Sequence, residues 1–148
     1  ECGVDRVLLV DLPPEEAKDF AEVLKKFDMD QIFLLAPTST DERIQHVANQ
    51  ASGFIYYVSL KGVTGAATLD VAEAAARIQK IKAVTDVPVG VGFGINDAAS
   101  AKAMGVAADA VIVGSAFVKH FANLAPEQAV VETVNKVKEL RAALDELV

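Results

Sequence analysis

Five short apolar runs, each followed by a longer segment with helical spacing, limit what this chain can fold into more than any other feature. The runs cover residues 6–10, 31–36, 54–59, 88–93 and 110–113. Their apolar residues are continuous rather than alternating, which suits parallel strands covered on both faces. Between the runs, Ala17, Phe20, Ala21, Leu24 and Phe27 share one helical face after a Pro13-Pro14-Glu15-Glu16 start, and Val71, Ala74, Ala75, Ile78 and Ile81 share another. A long last helix beginning near Pro126 carries Val130, Val134, Val137, Leu140, Leu144 and Leu147. Proline suits a first turn because the N–H it lacks would have no helical partner there. Asp41 is the expected cap of the helix bearing Ile44, Val47 and Ala48, and Asn96 of the helix bearing Ala99 and Ala103. No linker, repeat or charge block interrupts the pattern, so residues 1–148 read as one domain. Right-handed crossovers then give a parallel sheet, either an open doubly wound one or part of a closed barrel.

The glycines favour the barrel. They gather just after the third, fourth and fifth runs, in Gly62-Val63-Thr64-Gly65, Gly90-Val91-Gly92-Phe93-Gly94-Ile95 and Val113-Gly114-Ser115-Ala116. Ligands sit at the C-terminal strand ends in both folds, but a phosphate site shared by the last strands and a short extra helix is a barrel feature. The chemistry is coherent. Glycine lets a phosphate oxygen reach the main chain, and a helix opening near Ser115 offers unpaired N–H groups and the positive end of its dipole. Each piece alone is ordinary turn chemistry; the ordered set of three is what points to an anion. A dinucleotide turn is disfavoured, because in a G-x-G-x-x-G pattern starting at Gly92 the sixth position is Asp97.

Charge narrows the partners. With 14 Lys and Arg against 21 Asp and Glu, the net charge is −7, and no basic block forms a nucleic-acid footprint. A phosphate can still bind, through backbone amides rather than massed cations. The lone Cys2 excludes an internal disulfide and a multi-cysteine metal site, and it reads as a small buried side chain. His46 and His120 fall on expected helices without a metal-type partner at i+4, so no metal site is expected. No run approaches the ~18 apolar residues of a membrane span, and nothing at the start reads as a signal peptide, so the expected location is cytoplasmic.

The three glycine segments carry a family resemblance. The stretch 59–65 (SLKGVTG), then GFGI at 92–95, then Gly114-Ser115, is similar in order and spacing to the α subunit of tryptophan synthase. Asp11-Leu12-Pro13 resembles that family's D-[LV]-P segment, and the likeness runs the length of the chain. It implies that the five units are the fourth to eighth of a TIM (β/α)₈ barrel. It also implies cleavage of indoleglycerol phosphate to indole and glyceraldehyde 3-phosphate, in tryptophan biosynthesis. By the same resemblance Gly65, Gly94, Gly114 and Ser115 hold the phosphate, and Thr64 lies in the loop that closes over substrate. Tyr56 and Phe93 line the pocket, Leu34 touches the indole ring, and Asp11 and Pro13 lie near the surface that meets the β subunit in a heterotetramer. No cofactor is implied for the cleavage; pyridoxal phosphate belongs to the partner β subunit.

Two departures accompany the likeness. The family often has Arg at or near the position of Leu60, whereas the nearby cation here is Lys61. The family's acid–base pair, a Glu and an Asp, belongs to the second βα unit, which is not among these five. A barrel typically takes ~250 residues, so the chain reads as the C-terminal part of a longer protein, with the phosphate cradle and no lyase activity of its own. Asp11 stands at a strand end where catalytic groups collect, but reads as a loop or interface residue. The alternatives are a non-catalytic half-barrel that self-associates through its open edges, and another sugar-phosphate-binding TIM barrel.

Overall fold

The computed structural model describes residues 3–59, 70–92 and 94–147. Strands β1 (Arg6–Leu8), β2 (Asp30–Leu35), β3 (Ile55–Val58), β4 (Val89–Gly92) and β5 (Ala110–Ile112) alternate with helices α1 (Lys18–Lys26), α2 (Asp41–Gln50), α3 (Val71–Lys82) and α4 (Ala98–Gly105). Helices α5 (Ser115–Asn123) and α6 (Pro126–Asp145) follow β5, and a 3-10 turn, Pro14–Glu16, precedes α1. All five strands are parallel and neighbour one another in chain order, β1-β2-β3-β4-β5.

That order decides between the two architectures. A doubly wound sheet reverses its strand order at a switch point and so places helices on both faces. A sheet that never reverses, with crossovers of one hand, keeps its helices on one face and curls towards a barrel. The burial pattern agrees. Phe33, Leu35, Ile55, Tyr57, Val89 and Val91 point to one face and join Ile44, Val47, Ala74, Ile78, Ile81, Ala101, Met104 and Leu140 in the main core. The alternate residues in register across the other face are Leu34, Tyr56 and Gly90, then Val58, Gly92 and Ile112. On that inner face Leu34, Tyr56, Val58 and Ile112 are half-buried.

The strands are shorter than the apolar runs, for local reasons. Pro88 has no N–H for the ladder, so β4 starts at Val89, although the Pro88 carbonyl still accepts from the Ile55 amide at 2.8 Å. β1 ends at Leu8 because the chain turns at Val10 and Asp11 ahead of the two prolines. Two expected helix caps are corrected. Thr40, not Asp41, caps α2, its Oγ1 accepting from the Arg43 amide at 3.2 Å. Asp97, not Asn96, caps α4 in a reciprocal box with Ser100. In each case the cap is the last residue with extended backbone, which periodicity locates only to within a residue or two. Among the described residues no helix is long and apolar enough to cross a membrane, and no three His, Cys, Asp or Glu side chains gather to hold a metal.

Asp109 fastens the entry to β4 and β5. Its amide donates to the Val89 carbonyl at 2.9 Å, its Oδ2 accepts from the Val89 amide at 2.8 Å, and its Oδ1 meets Lys82 Nζ at 2.6 Å. Partial burial works against the ionised carboxylate, but the Lys82 and Val89 hydrogen bonds outweigh it and hold the group below its ordinary value. A depressed folded-state value stabilises the fold above the unfolded value, about 3.9 for Asp, and that gain disappears as pH falls through the folded value. Asp109→Asn is therefore expected to lower the urea midpoint at pH 7, with the gap from the parent protein closing below about pH 4. A gap that stays constant from pH 7 to pH 3 would show that the charge contributes nothing.

Candidate functional site

The C-terminal ends of β3 and β4 are bound together by one residue. Ser59, buried just past β3, donates from its hydroxyl to the Gly92 carbonyl at 2.8 Å, and its amide donates to the same oxygen at 3.0 Å. Gly92 also receives the side chain of Tyr56. A Cβ built on Gly92 would stand 2.3 Å from the Tyr56 hydroxyl and 2.8 Å from Cζ, so the tyrosine ring lies where any other residue at position 92 would need room. Burial pushes the Tyr56 hydroxyl above its ordinary value, so it stays a neutral hydrogen-bond donor. Two residues on, Gly94 takes φ 75, a left-handed conformation that side-chain-bearing residues rarely adopt.

The third strand end supplies the positive potential. Gly114 is the N-cap of α5 and makes no side-chain cap, and a Cβ added there would meet nothing within 4 Å. The first intrahelical bonds run from Phe117 and Val118 to the Gly114 carbonyl. The amides of Ser115 and Ala116 therefore begin the helix without an intrahelical acceptor. Such a terminus carries roughly half a positive charge and is a ready place for an anion.

These parts meet in one cavity of about 130 Å³, lined by Tyr56, Gly94, Ile95, Ile112, Gly114 and Ser115. Three of the four residues expected to hold phosphate are thus brought together with one expected pocket residue. The fourth, Gly65, lies outside the described residues, as do Thr64, Phe93, Lys61 and Cys2. Leu34 does not line this cavity but stands beside Tyr56 on the neighbouring strand, in register and on the same sheet face. Asp11 is exposed in the turn after β1, and Pro13 is the N-cap of the 3-10 turn; both belong to the same end of the sheet. His46 and His120 take no part, bonding instead to Gln50 and Thr133.

Sequence reading passed over Ile95 and Ile112, which form the apolar walls, and missed that Ser59 is the clamp rather than merely the start of a motif. Ser59 was detectable as a lone hydroxyl closing an apolar run. Nothing in the sequence told which carbonyl it would reach. A larger cavity of about 500 Å³ lies between α1 and α2 and shares none of these residues. It is on the helix side of the sheet, away from the strand ends where ligands of such folds gather.

Three comparisons bear on the site. The family model described as tryptophan synthase alpha chain matches residues 1–146. The chain is 82% identical over 148 residues to the tryptophan synthase alpha chain of Acinetobacter baumannii, and 83% identical over 147 residues to that of Acinetobacter baylyi. It spans about half the length of these curated relatives, 55% in each case. Among solved structures, the chain is similar to tryptophan synthase of Mycobacterium tuberculosis, with a TM-score of 0.79, 36% identity, and coverage of 96% of this chain and 52% of that one. It is also similar to tryptophan synthase subunit alpha of Legionella pneumophila, with a TM-score of 0.77, 32% identity, and coverage of 97% and 53%.

The Tyr56–Gly92 interlock is open to a double-mutant test. Gly92→Ala is expected to cost about 1–3 kcal/mol of stability as an overpacking change. Tyr56→Phe in the same chain should recover part of that loss by removing the atom nearest the new methyl. Urea unfolding of the two single variants and the double variant measures both; additive losses would mean that the ring and the glycine do not meet.

Proposed function

Because the chain belongs to the tryptophan synthase alpha chain family, we propose that it forms the phosphate- and indole-holding part of an enzyme that cleaves indoleglycerol phosphate to indole and glyceraldehyde 3-phosphate. The observation that carries this reading is the meeting of Tyr56, Gly94, Gly114 and Ser115 around one cavity at the start of α5. The phosphate sits against the free amides of α5, with the Ser115 hydroxyl as a further donor. Gly114 leaves the space above the helix open, and Gly94 bends the chain back from β4 towards the same point. The family resemblance assigns Gly65, outside the described residues, to the same phosphate.

The apolar end of the substrate runs along the inner face of the sheet. Ile95 and Ile112 wall the cavity, and Tyr56 and Leu34 stand side by side beneath it. The indole ring packs there, and the family resemblance adds Phe93 and Thr64, outside the described residues, to its contacts. Anchoring at the phosphate positions a bond some distance away, so binding energy is used for orientation.

Cleavage requires a carboxylic acid to protonate indole C3 and a carboxylate to take the glycerol hydroxyl proton. Among the described residues no carboxylate lines the cavity. These 148 residues therefore bind without cleaving, and the acid and base come from the part of the barrel that the longer relatives possess. No cofactor takes part in this step. Asp11 and Pro13, at the same end of the sheet, face a β subunit that contains pyridoxal phosphate, and the assembly works in the cytoplasm.

Calorimetric titration with indolepropanol phosphate tests the reading. The protein should bind it, Ser115→Ala should weaken binding about tenfold through loss of one hydrogen bond to a charged group, and Ser115→Glu should abolish it by placing a negative charge at the helix start. Indole release from indoleglycerol phosphate should stay at background. Release above background would overturn the division of labour, and equal affinity for simple sugar phosphates would point to a different phosphate-binding barrel.

A further inference from the structure

Two helices begin at the same end of the sheet, α4 after β4 and α5 after β5, and their first amides are used differently. At α5 no side chain caps the helix, and the amides of Ser115 and Ala116 precede the first intrahelical bonds. At α4 the opening amides are taken up. Ser100 Oγ accepts from the amides of Asn96 and Asp97, each at 3.3 Å. Asp97 Oδ1 accepts from the Ser100 amide at 2.8 Å and from the Ser100 hydroxyl at 2.7 Å, and the Ala98 amide donates to Glu139 Oε1 on α6 at 3.3 Å. An anion in the cavity therefore finds donors at α5 and none at these positions of α4.

The cap of α4 also fastens the chain that walls the cavity. Ser59 holds the Gly92 carbonyl on one side of Gly94, and the Asp97–Ser100 box holds the amides of Asn96 and Asp97 on the other. Between these ties Gly94 takes φ 75 and Ile95 is buried, and both line the cavity. Glycine loses more backbone freedom on ordering than any other residue. A Gly94 turn tied on one side only would have to be ordered by the ligand, and affinity would fall accordingly. Asp97 itself does not line the cavity. The Ser100 hydrogen bonds hold its carboxyl below the ordinary value, so it stays an ionised acceptor at neutral pH.

We propose that Asp97 is a positioning residue for the phosphate: its cap with Ser100 presets the Gly94 turn in the conformation that walls the cavity beside the start of α5. The inference rests on the reading of that cavity as a phosphate site. Charge and cap act in opposite directions here. A negative charge near the site opposes an anion, so loss of the charge alone strengthens phosphate binding, whereas loss of the cap weakens it.

Asp97→Asn and Asp97→Ala separate the two effects, because both remove the charge and only asparagine caps a helix as aspartate does. In titrations followed by ¹⁵N spectra, Asp97→Asn is expected to bind indolepropanol phosphate at least as tightly as the parent protein. Asp97→Ala should bind it about three- to tenfold more weakly than Asp97→Asn. Ser100→Ala, which keeps the charge and removes the partner of the cap, should also weaken binding. In the free protein the Gly94 amide resonance should move in Asp97→Ala, stay in place in Asp97→Asn, and return to its parent position when Asp97→Ala is saturated with ligand. Equal affinities of the two Asp97 variants, parent-like binding by Ser100→Ala, or an unmoved Gly94 amide in Asp97→Ala would overturn the proposal and leave the phosphate site standing. A parent protein that does not bind the ester would remove the site and the proposal together.

Discussion

The Gly92 carbonyl, held by both the hydroxyl and the amide of Ser59, is the junction on which the candidate site depends. It fixes where β4 ends relative to β3, and so where the chain is when Gly94 turns it back. The same residue accommodates the Tyr56 ring on the inner face of the sheet. One glycine thus sets the position of a backbone turn and of an aromatic wall together. Neither contact is local in sequence: the Ser59 bond spans 33 residues. A contact of that range exists only where the fold lays β4 alongside β3.

The proposed phosphate site sets a net acidic charge against a local positive potential. A net charge of −7 gives an unfavourable field at a distance, yet salt screens that field beyond about 8 Å at physiological ionic strength. The start of α5 lines the cavity at Gly114 and Ser115, and no described carboxylate does. Over short distances a helix N-terminus of this kind outweighs a screened distant field. The lysines with described ion pairs, at positions 80, 82, 102 and 136, are engaged with carboxylates elsewhere.

The inner face of the sheet shows why the fourth strand is rich in glycine. A Cβ on Gly90 would meet Ile112 Cδ1 at 3.0 Å and the Phe54 ring at 3.3 Å, while one on Gly92 would strike Tyr56. Large side chains from β3 and β5 fill the space over β4, and the small residues of β4 allow the sheet to curl without opening a void. Close packing of large against small across neighbouring strands is how barrel interiors are filled. Outside the sheet the opposite holds, and residues of intermediate size, Val89 and Val91, are buried under the helices.

Most of the architecture could be read from the sequence, because hydrophobic period follows directly from backbone geometry. The five strands, their helices and the proline start of α6 all fall where the spacing puts them, and the described glycines Gly94 and Gly114 stand just past the C-terminal ends of β4 and β5. Helix caps were off by one residue, since Thr40 and Asp41, or Asn96 and Asp97, are chemically near-equivalent until the backbone chooses. Only the tertiary structure decided that the sheet keeps chain order, that Ser59 reaches Gly92, and that Ile95 and Ile112 become walls. It also showed that Gln31 is buried with no partner for its amide oxygen. The reason is the same throughout: period and propensity are properties of neighbouring residues, whereas the partner of a hydrogen bond or a ring is set by which distant segments the folded sheet brings side by side.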